Sequence, residues 1–378
     1  MAVTVVRREA ARRWLVVGAS ALVLVSAPAA VSALPAKVPD TAVATLAARI
    51  RASAAQPFQG YAVSTGSAGL PALPQLGTVA DLLNGDTRLR VWYAGTDRFR
   101  VDVIDDGTER DTYRLGGREL VWDYGRGEVT EVTGAPPVRL PRGADLVPPD
   151  LARRLLSMTD PGDRLRPLPA RRIAGIAAAG LRIEPVSTHS TVGHVDVWAD
   201  PRTGLPLSVS VTGKHATQPI LVSTFLDVSL RAPTPSVLTP PAPRDGIGYV
   251  VTDSTDVSQV LADRRVGPLP DELAGQPRTS TPPADLAGIG AYGTGLAQFV
   301  VLPVPPGIGF DAMRRAARAG GAQLDFPDGE GVLIATPLVS VLAMDADPVH
   351  RTYLLAGLVD PALLKQAGAE LSSFGSVR

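Results

Sequence analysis

Side chains that could act as nucleophile, general base or metal ligand are sparse in this chain. It has no cysteine and only four histidines, His189, His194, His215 and His350. No two of them stand two or four residues apart, and no His-x-x-x-Glu string occurs. The spacing by which a strand or helix turns two ligands toward one metal is therefore missing. Without cysteine there is no thiolate ligand, thiol nucleophile, disulfide or lipid-bearing anchor thiol. No Gly-x-Ser-x-Gly string marks a hydrolase nucleophile turn. Gly288-x-Gly290-x-x-Gly293 copies the dinucleotide-binding pattern, yet it follows Pro282-Pro283 and precedes a strand-like stretch at 298–303. A phosphate-binding glycine loop must open a helix there, so these glycines read as a turn. Asp105-Asp106-Gly107 and residues 325–330 carry too few oxygen ligands for a calcium loop and also read as turns. These absences argue against catalysis and against a resident metal or cofactor.

What remains is apolar surface at period two. Leu89, Val91 and Tyr93 alternate with Arg88 and Arg90, and Phe99, Val101 and Val103 alternate with Arg98, Arg100 and Asp102. One apolar and one charged side is the pattern of a half-buried antiparallel sheet. Choosing the apolar positions of later strands extends this face to Tyr113, Leu115, Leu120, Trp122, Val195, Val197, Leu205 and Leu207. Only two short helices are predicted before residue 160, at 40–56 and 151–158. Roughly a dozen such side chains, at about 1.5–3 kcal/mol each, form more surface than two short helices obviously cover. The expectation is a leftover cleft able to take an acyl chain; the alternative is that the helices and a second domain fill it. Arg98 and Arg100 flank this face. They stand either at its rim, closing a lid or meeting a lipid head group, or on the solvent side as alternation with Phe99 suggests.

The elements that position these residues fall into four parts. Arg7, Arg8, Arg12 and Arg13, an apolar run from Trp14 to about Val25, and small residues through Ala33 read as a signal peptide or an N-terminal membrane anchor over 1–33. Arg12-Arg13 also fits a loose twin-arginine pattern. The expected location is the cell envelope, outside the cytoplasm. Residues 40–232 form the strand-rich domain: a strand at 58–65, a Gly/Pro-rich loop at 66–78, the ladder at 88–132, and a hairpin at 192–211 turning through Asp200-Pro201-Arg202-Thr203-Gly204. Pro206 marks its return strand as an edge or a bulge. Residues 233–246 are Pro-rich and read as a semi-rigid linker. Residues 247–378 form a smaller α+β domain, with helices expected near 256–263, 309–319 and 361–371 and strands near 298–303, 331–344 and 351–358. Lys plus Arg equals Asp plus Glu at 37 each, so nothing suggests nucleic acid as a partner. Abundant Ala, Arg, Gly and Pro look like a GC-rich bacterial genome.

Several strings resemble a known group. Asp97-Arg98-Phe99-Arg100-Val101-Asp102, the Gly116-Gly117 turn and Leu120-Val121-Trp122-Asp123-Tyr124 resemble the core of the LolA/LolB lipoprotein carriers. They equally resemble the N-terminal domain of the RseB/MucB regulators of sigma-E signalling. Ile173-Ala174-Gly175, Val195 to Asp200 and Thr203 to Leu207 resemble the second half of the same fold, over roughly 40–232. Thr336 to Val339 and Arg351 to Gly357 look like the C-terminal domain that accompanies it in RseB-like proteins of high-GC Gram-positive bacteria. The resemblance implies an α+β chain: a curved antiparallel half-barrel with a helix lid over an apolar concave face, then a small α+β domain, and no catalysis. It implies as partners a lipid or the acyl chain of a lipoprotein, and a membrane anti-sigma factor. The anchor cysteine of LolB-type lipoproteins is absent. Two functions are carried forward: an envelope-stress regulator that senses a lipid or lipoprotein, and a carrier that shuttles it alone.

Overall fold

The computed structural model describes Trp14 and residues 36–71, 77–105, 107–133, 141–242, 247–252, 269–279, 289–346 and 351–374. The leader (Trp14 apart), the helix expected at 256–263, Gly288 and His350 lie outside them. Among the described residues no helix is long and apolar enough to cross a membrane.

The chain first lays down helix α1 (Val43–Ala52), whose Leu46, Ala47 and Ile50 repeat at helical spacing and are buried. Strand β1 (Phe58–Gly66) follows, then helix α2 (Gly77–Asn84), which starts at the end of the loop expected at 66–78 and has no counterpart among the expected elements. The ladder runs through β2 (Asp86–Gly95), β3 (Arg98–Asp105), β4 (Thr108–Leu115), β5 (Arg118–Asp123) and β6 (Glu128–Thr133). Helix α3 (Pro148–Ser157) carries prolines in its first turn. They open the helix rather than stop the chain before it, because the N–H they lack would find no intrahelical partner there. Next come β7 (Arg164–Ile173), β8 (Ile176–Glu184), β9 (Val192–Ala199), β10 (Pro206–Gly213), β11 (Leu221–Ser229) and β12 (Gly248–Thr252).

These strands form one large curved sheet of twelve, ordered β12-β6-β5-β4-β3-β2-β1-β11-β10-β9-β8-β7. Its neighbours are antiparallel except β12, which lies parallel to β6. The two terminal strands, β12 and β7, do not pair with each other, so the half-barrel is unclosed. Pro206 does sit at a register break, yet β10 is not an edge: it pairs with both β9 and β11. A proline at the first residue of a strand removes a donor where the ladder is only starting.

The turn between β9 and β10 fastens a helix. Asp200 accepts hydrogen bonds from Arg202 N at 3.1 Å and Thr203 Oγ1 at 2.9 Å, and Gly204 N donates to Asp200 O at 2.8 Å. Gly204 has φ of 73°, and a Cβ there would lie 2.3 Å from the carbonyl oxygen of Arg49 on α1. Only glycine suits both the left-handed backbone and the close approach.

Beyond the linker comes a two-stranded hairpin, β13 (Glu272–Leu273) and β14 (Gln276–Pro277). A second sheet combines β15 (Gly290–Tyr292), β16 (Phe299–Val304), β17 (Ala322–Phe326), β18 (Gly329–Ala335), β19 (Ser340–Ala346) and β20 (Arg351–Gly357). Helices α4 (Pro306–Arg318) and α5 (Pro361–Phe374) cover its two faces. Leu342 and Met344 pack with α5, while Val341 and Ala343 pack with α4 and with Val79 and Ala80 of α2. The unexpected α2 thus joins the two sheets. Ser190 Oγ donates to Leu296 O at 2.8 Å, Thr191 Oγ1 to Leu338 O at 2.6 Å and Asp360 N to His189 O at 2.8 Å across the same junction.

Gly204→Ala is expected to lower stability by roughly 1–3 kcal/mol, read as a drop in the urea midpoint. An unchanged midpoint would mean that the turn does not hold α1 in this way.

Candidate functional site

Register decides which side chains share a surface. Leu89 stands opposite Val103, Val91 opposite Val101 and Tyr93 opposite Phe99. Through β1, β11 and β10 the same face continues to Val197 and Val195, which pair with Val209 and Val211. Helix α1, the turn at Gly143–Leu146 and helix α3 cover this face. Leu89, Val91, Tyr93, Val101, Val195, Val197, Leu205 and Leu207 are buried there in one cluster with Leu46, Ile50, Leu151 and Leu155. Phe99 packs on it half-buried. Tyr93 Oη donates to Ala54 O at 2.7 Å, and Ser223 Oγ donates to Leu146 O.

The other four apolar positions assigned to this face do not belong to it. Val101 pairs with Thr112 and Phe99 with Arg114, so β4 turns Arg110, Thr112 and Arg114 toward the helix-covered side. Tyr113 and Leu115 point the opposite way, and so do Leu120 and Trp122 on β5, by pairing with Tyr113 and Asp111. They form a separate cluster with Val129 and Ile247. The sequence pattern predicts that the apolar residues of every strand are the covered ones. From β4 onward the covered side is charged instead. Arg114 Nη2 lies 2.7 Å from Glu119 Oε2, Arg142 also meets Glu119, and Arg110 Nη2 lies 2.8 Å from Asp123 Oδ2.

Arg98 and Arg100 also lie on this opposite face and are no rim to the helix-covered one. Arg98 is exposed. Arg100 is held between the rings of Trp92 and Tyr113, at 4.9 and 5.0 Å from their centroids. Its Nε donates to Asp102 Oδ1 at 2.6 Å, and its Nη2 donates to Asp102 Oδ2 at 2.8 Å and Asp111 Oδ2 at 2.9 Å. Asp102 and Asp111 face each other directly across β3 and β4, and both side chains are wholly buried. Burial, then the charge of Asp102, pushes the Asp111 carboxyl up to about 7, against the pull of Arg100. Burial also raises Asp102, and it raises the Tyr113 phenol. Burial alone would lower the Arg100 guanidinium, but its hydrogen bond to Asp102 and the charges of Asp102 and Asp111 together leave it raised.

Asp102, Glu109 and Asp111 bring carboxylate oxygens within 4.8 Å of one another, a possible cation cradle. The cation in it is the guanidinium, with Nη2 2.9 Å from Asp111 and 3.9 Å from Glu109. His194 Nε2 lies 3.9 Å from Asp196 Oδ2, with its imidazole lowered by burial. Gly290 opens strand β15 and not a helix, so it is part of a strand where the sequence suggests a turn.

Sequence reasoning missed the buried Asp102–Asp111 pair. A signal existed: Asp105 pairs with Thr108 at the end of the hairpin, so Asp102 and Asp111, equally far out, must meet.

No protein-family model matches the chain, and no curated protein does. Solved structures are similar to it. The complex of Pseudomonas aeruginosa MucA and MucB is 17% identical, covers 86% of this chain and 96% of that one, and has a TM-score of 0.49. MucB crystallised alone is 18% identical over 86% of this chain and 96% of that one, with a TM-score of 0.43. A LolA superfamily protein from Nitrosomonas europaea is 13% identical over 53% of this chain and 99% of that one, with a TM-score of 0.24. These are similarities of chain layout, and no residue of the site is assigned from them.

Arg100→Ala would leave two opposed buried carboxyls without their cation. The expected cost is about 3–5 kcal/mol at pH 8, measured by urea unfolding, and distinctly less at pH 5, where protonation neutralises the pair. Equal losses at both pH values would contradict this arrangement.

Proposed function

We propose that this protein is a non-enzymatic, extracytoplasmic binding protein. It holds an acyl chain of a lipid or lipoprotein between the helix-covered face and helices α1 and α3, and it reports that occupancy to a membrane partner of anti-sigma type. The observation that carries the binding half is the construction of the covered face. Its wall is apolar from β3 through β1 to β9: Val101, Val91, Leu89, Val195 and Val197 among others. Its roof is two helices of ten residues each, neither of which is a rung of the sheet.

Strands of a ladder cannot part without breaking paired backbone hydrogen bonds, whereas a helix on a sheet is held by side-chain packing and a few polar contacts. Here those contacts include Tyr93 to Ala54 O and the Arg153 guanidinium 5.8 Å over the Tyr93 ring. Lifting α1 and α3 is therefore the least costly way to admit a linear apolar guest, and the loss of their contacts is offset by burying the guest's methylenes at about 0.8 kcal/mol each. Past β3 the covered side turns charged at Arg114 and Glu119, so an acyl chain would end there and a polar head group would meet ions.

The partner half rests on the motif resemblance, and the carrier reading is its rival. Native mass spectrometry and solvent extraction of the chain purified from its own envelope test the binding half: an added mass of acyl-lipid size is expected, and a ligand-free protein by both methods sinks it. Pull-down from membranes tests the other half. Recovery of one specific membrane protein supports regulation, and exchange of lipid between vesicles with no such recovery supports a carrier.

A further inference from the structure

The outer cluster holds more negative charge than it neutralises. Arg100 satisfies both oxygens of Asp102 and one of Asp111. Among the described residues, the buried Asp111 Oδ1 receives no hydrogen bond, and on its register partner Trp122 the buried Nε1 donates none. Asp102 and Asp111 stand directly opposite each other in register, and both side chains are wholly out of water. A single guanidinium against two opposed, wholly buried carboxyls therefore calls for one proton as well.

The remaining polar groups around the pair do not change this balance. Glu109 of β4, 3.9 Å from Arg100, adds negative charge. Arg90 of β2 stands opposite Asp102 in register but is exposed, where water screens it. Tyr113 Oη donates weakly to Asp111 Oδ2 at 3.4 Å, and Tyr124 flanks the cluster, half-exposed.

We propose that Asp102, Asp111 and Arg100 form a proton-operated latch between β3 and β4, which clamps the end of the large sheet in mildly acidic surroundings and loosens it as they turn alkaline. In the closed sheet the Asp111 carboxyl titrates at about 7, against 3.8 for a free aspartate. The closed form keeps a proton that the opened form releases, so closure weakens as pH rises between those two values and levels off above the higher one. The strands so controlled carry the outer aromatic surface. Trp122 is buried with its ring 5.1 Å from that of Tyr124, and Tyr249 of β12 is 42% exposed beside Val129. Loosening β4 to β6 would uncover the rest of this surface, which makes the latch a gate on an aromatic face rather than on the helix-covered one.

Amide hydrogen exchange of the full chain at pH 6 and pH 8, corrected for the intrinsic rate, tests it. Peptides spanning 108–133 should open about tenfold more at pH 8, as a carboxyl titrating near 7 requires, and peptides spanning 192–213 should not change. Asp111→Asn keeps the shape and supplies an N–H in place of the proton, so the difference should vanish with both states protected. If that variant does not fold, Asp102→Asn serves instead: it leaves the burial of Asp111 in place but removes the neighbouring charge that adds to it, so the difference should shrink. Equal protection of the natural chain at both pH values overturns the latch, and so does a difference that survives Asp111→Asn or stands undiminished in Asp102→Asn.

Discussion

Between β3 and β4 the ladder places Val101 against Thr112 and Asp102 against Asp111, and that pairing decides which way every later side chain faces. Side chains alternate strictly along a strand, so a register carries its assignment across the whole sheet. On the β1–β3 side of this seam the apolar positions meet α1 and α3. On the β4–β6 side they turn outward, and arginines and carboxylates occupy the covered face. One sheet thus presents two apolar surfaces, on opposite faces and toward opposite ends.

The buried ion cluster sits on the seam. Two carboxyls taken out of water next to each other disfavour the fold unless a cation and a proton accompany them. Arg100 supplies the cation from between Trp92 and Tyr113, and its planar group lets three hydrogen bonds and two ring contacts converge on it. The cluster is thereby an unusual join in an ordinary ladder: its strength depends on the medium, whereas the apolar contacts of the helix-covered face do not. A guest under α1 and α3 and a proton between Asp102 and Asp111 act on opposite faces of the same sheet, with β3 common to both.

The second sheet is tied to the first at two places of different character. Backbone and hydroxyl hydrogen bonds around Ser190 and Thr191 fix the junction near β9, while α2 packs Val79 and Ala80 into the face shared by α4 and β19. Helix α2 lies directly between β1 and β2, two strands of the helix-covered face. A displacement of that part of the sheet would reach α4 through a single helix. This gives the proposed reporting of occupancy a physical route.

Much of the fold is legible in local sequence. Period-two alternation in Leu89–Tyr93 and Phe99–Val103, the Asp200–Gly204 turn and the helical spacing of Leu46 and Ile50 are local patterns, and local sterics produce the elements they announce. The side of the sheet on which Tyr113, Leu115, Leu120 and Trp122 fall was not readable, because alternation tells that neighbours differ but not which of them meets the helices. The helix at Gly77–Asn84 stayed hidden for a related reason: its stability comes from packing against the distant α4 more than from its own residues. The chain itself dictates strands, turns and charge, whereas partners far apart in sequence decide which surface is buried and where a proton must sit.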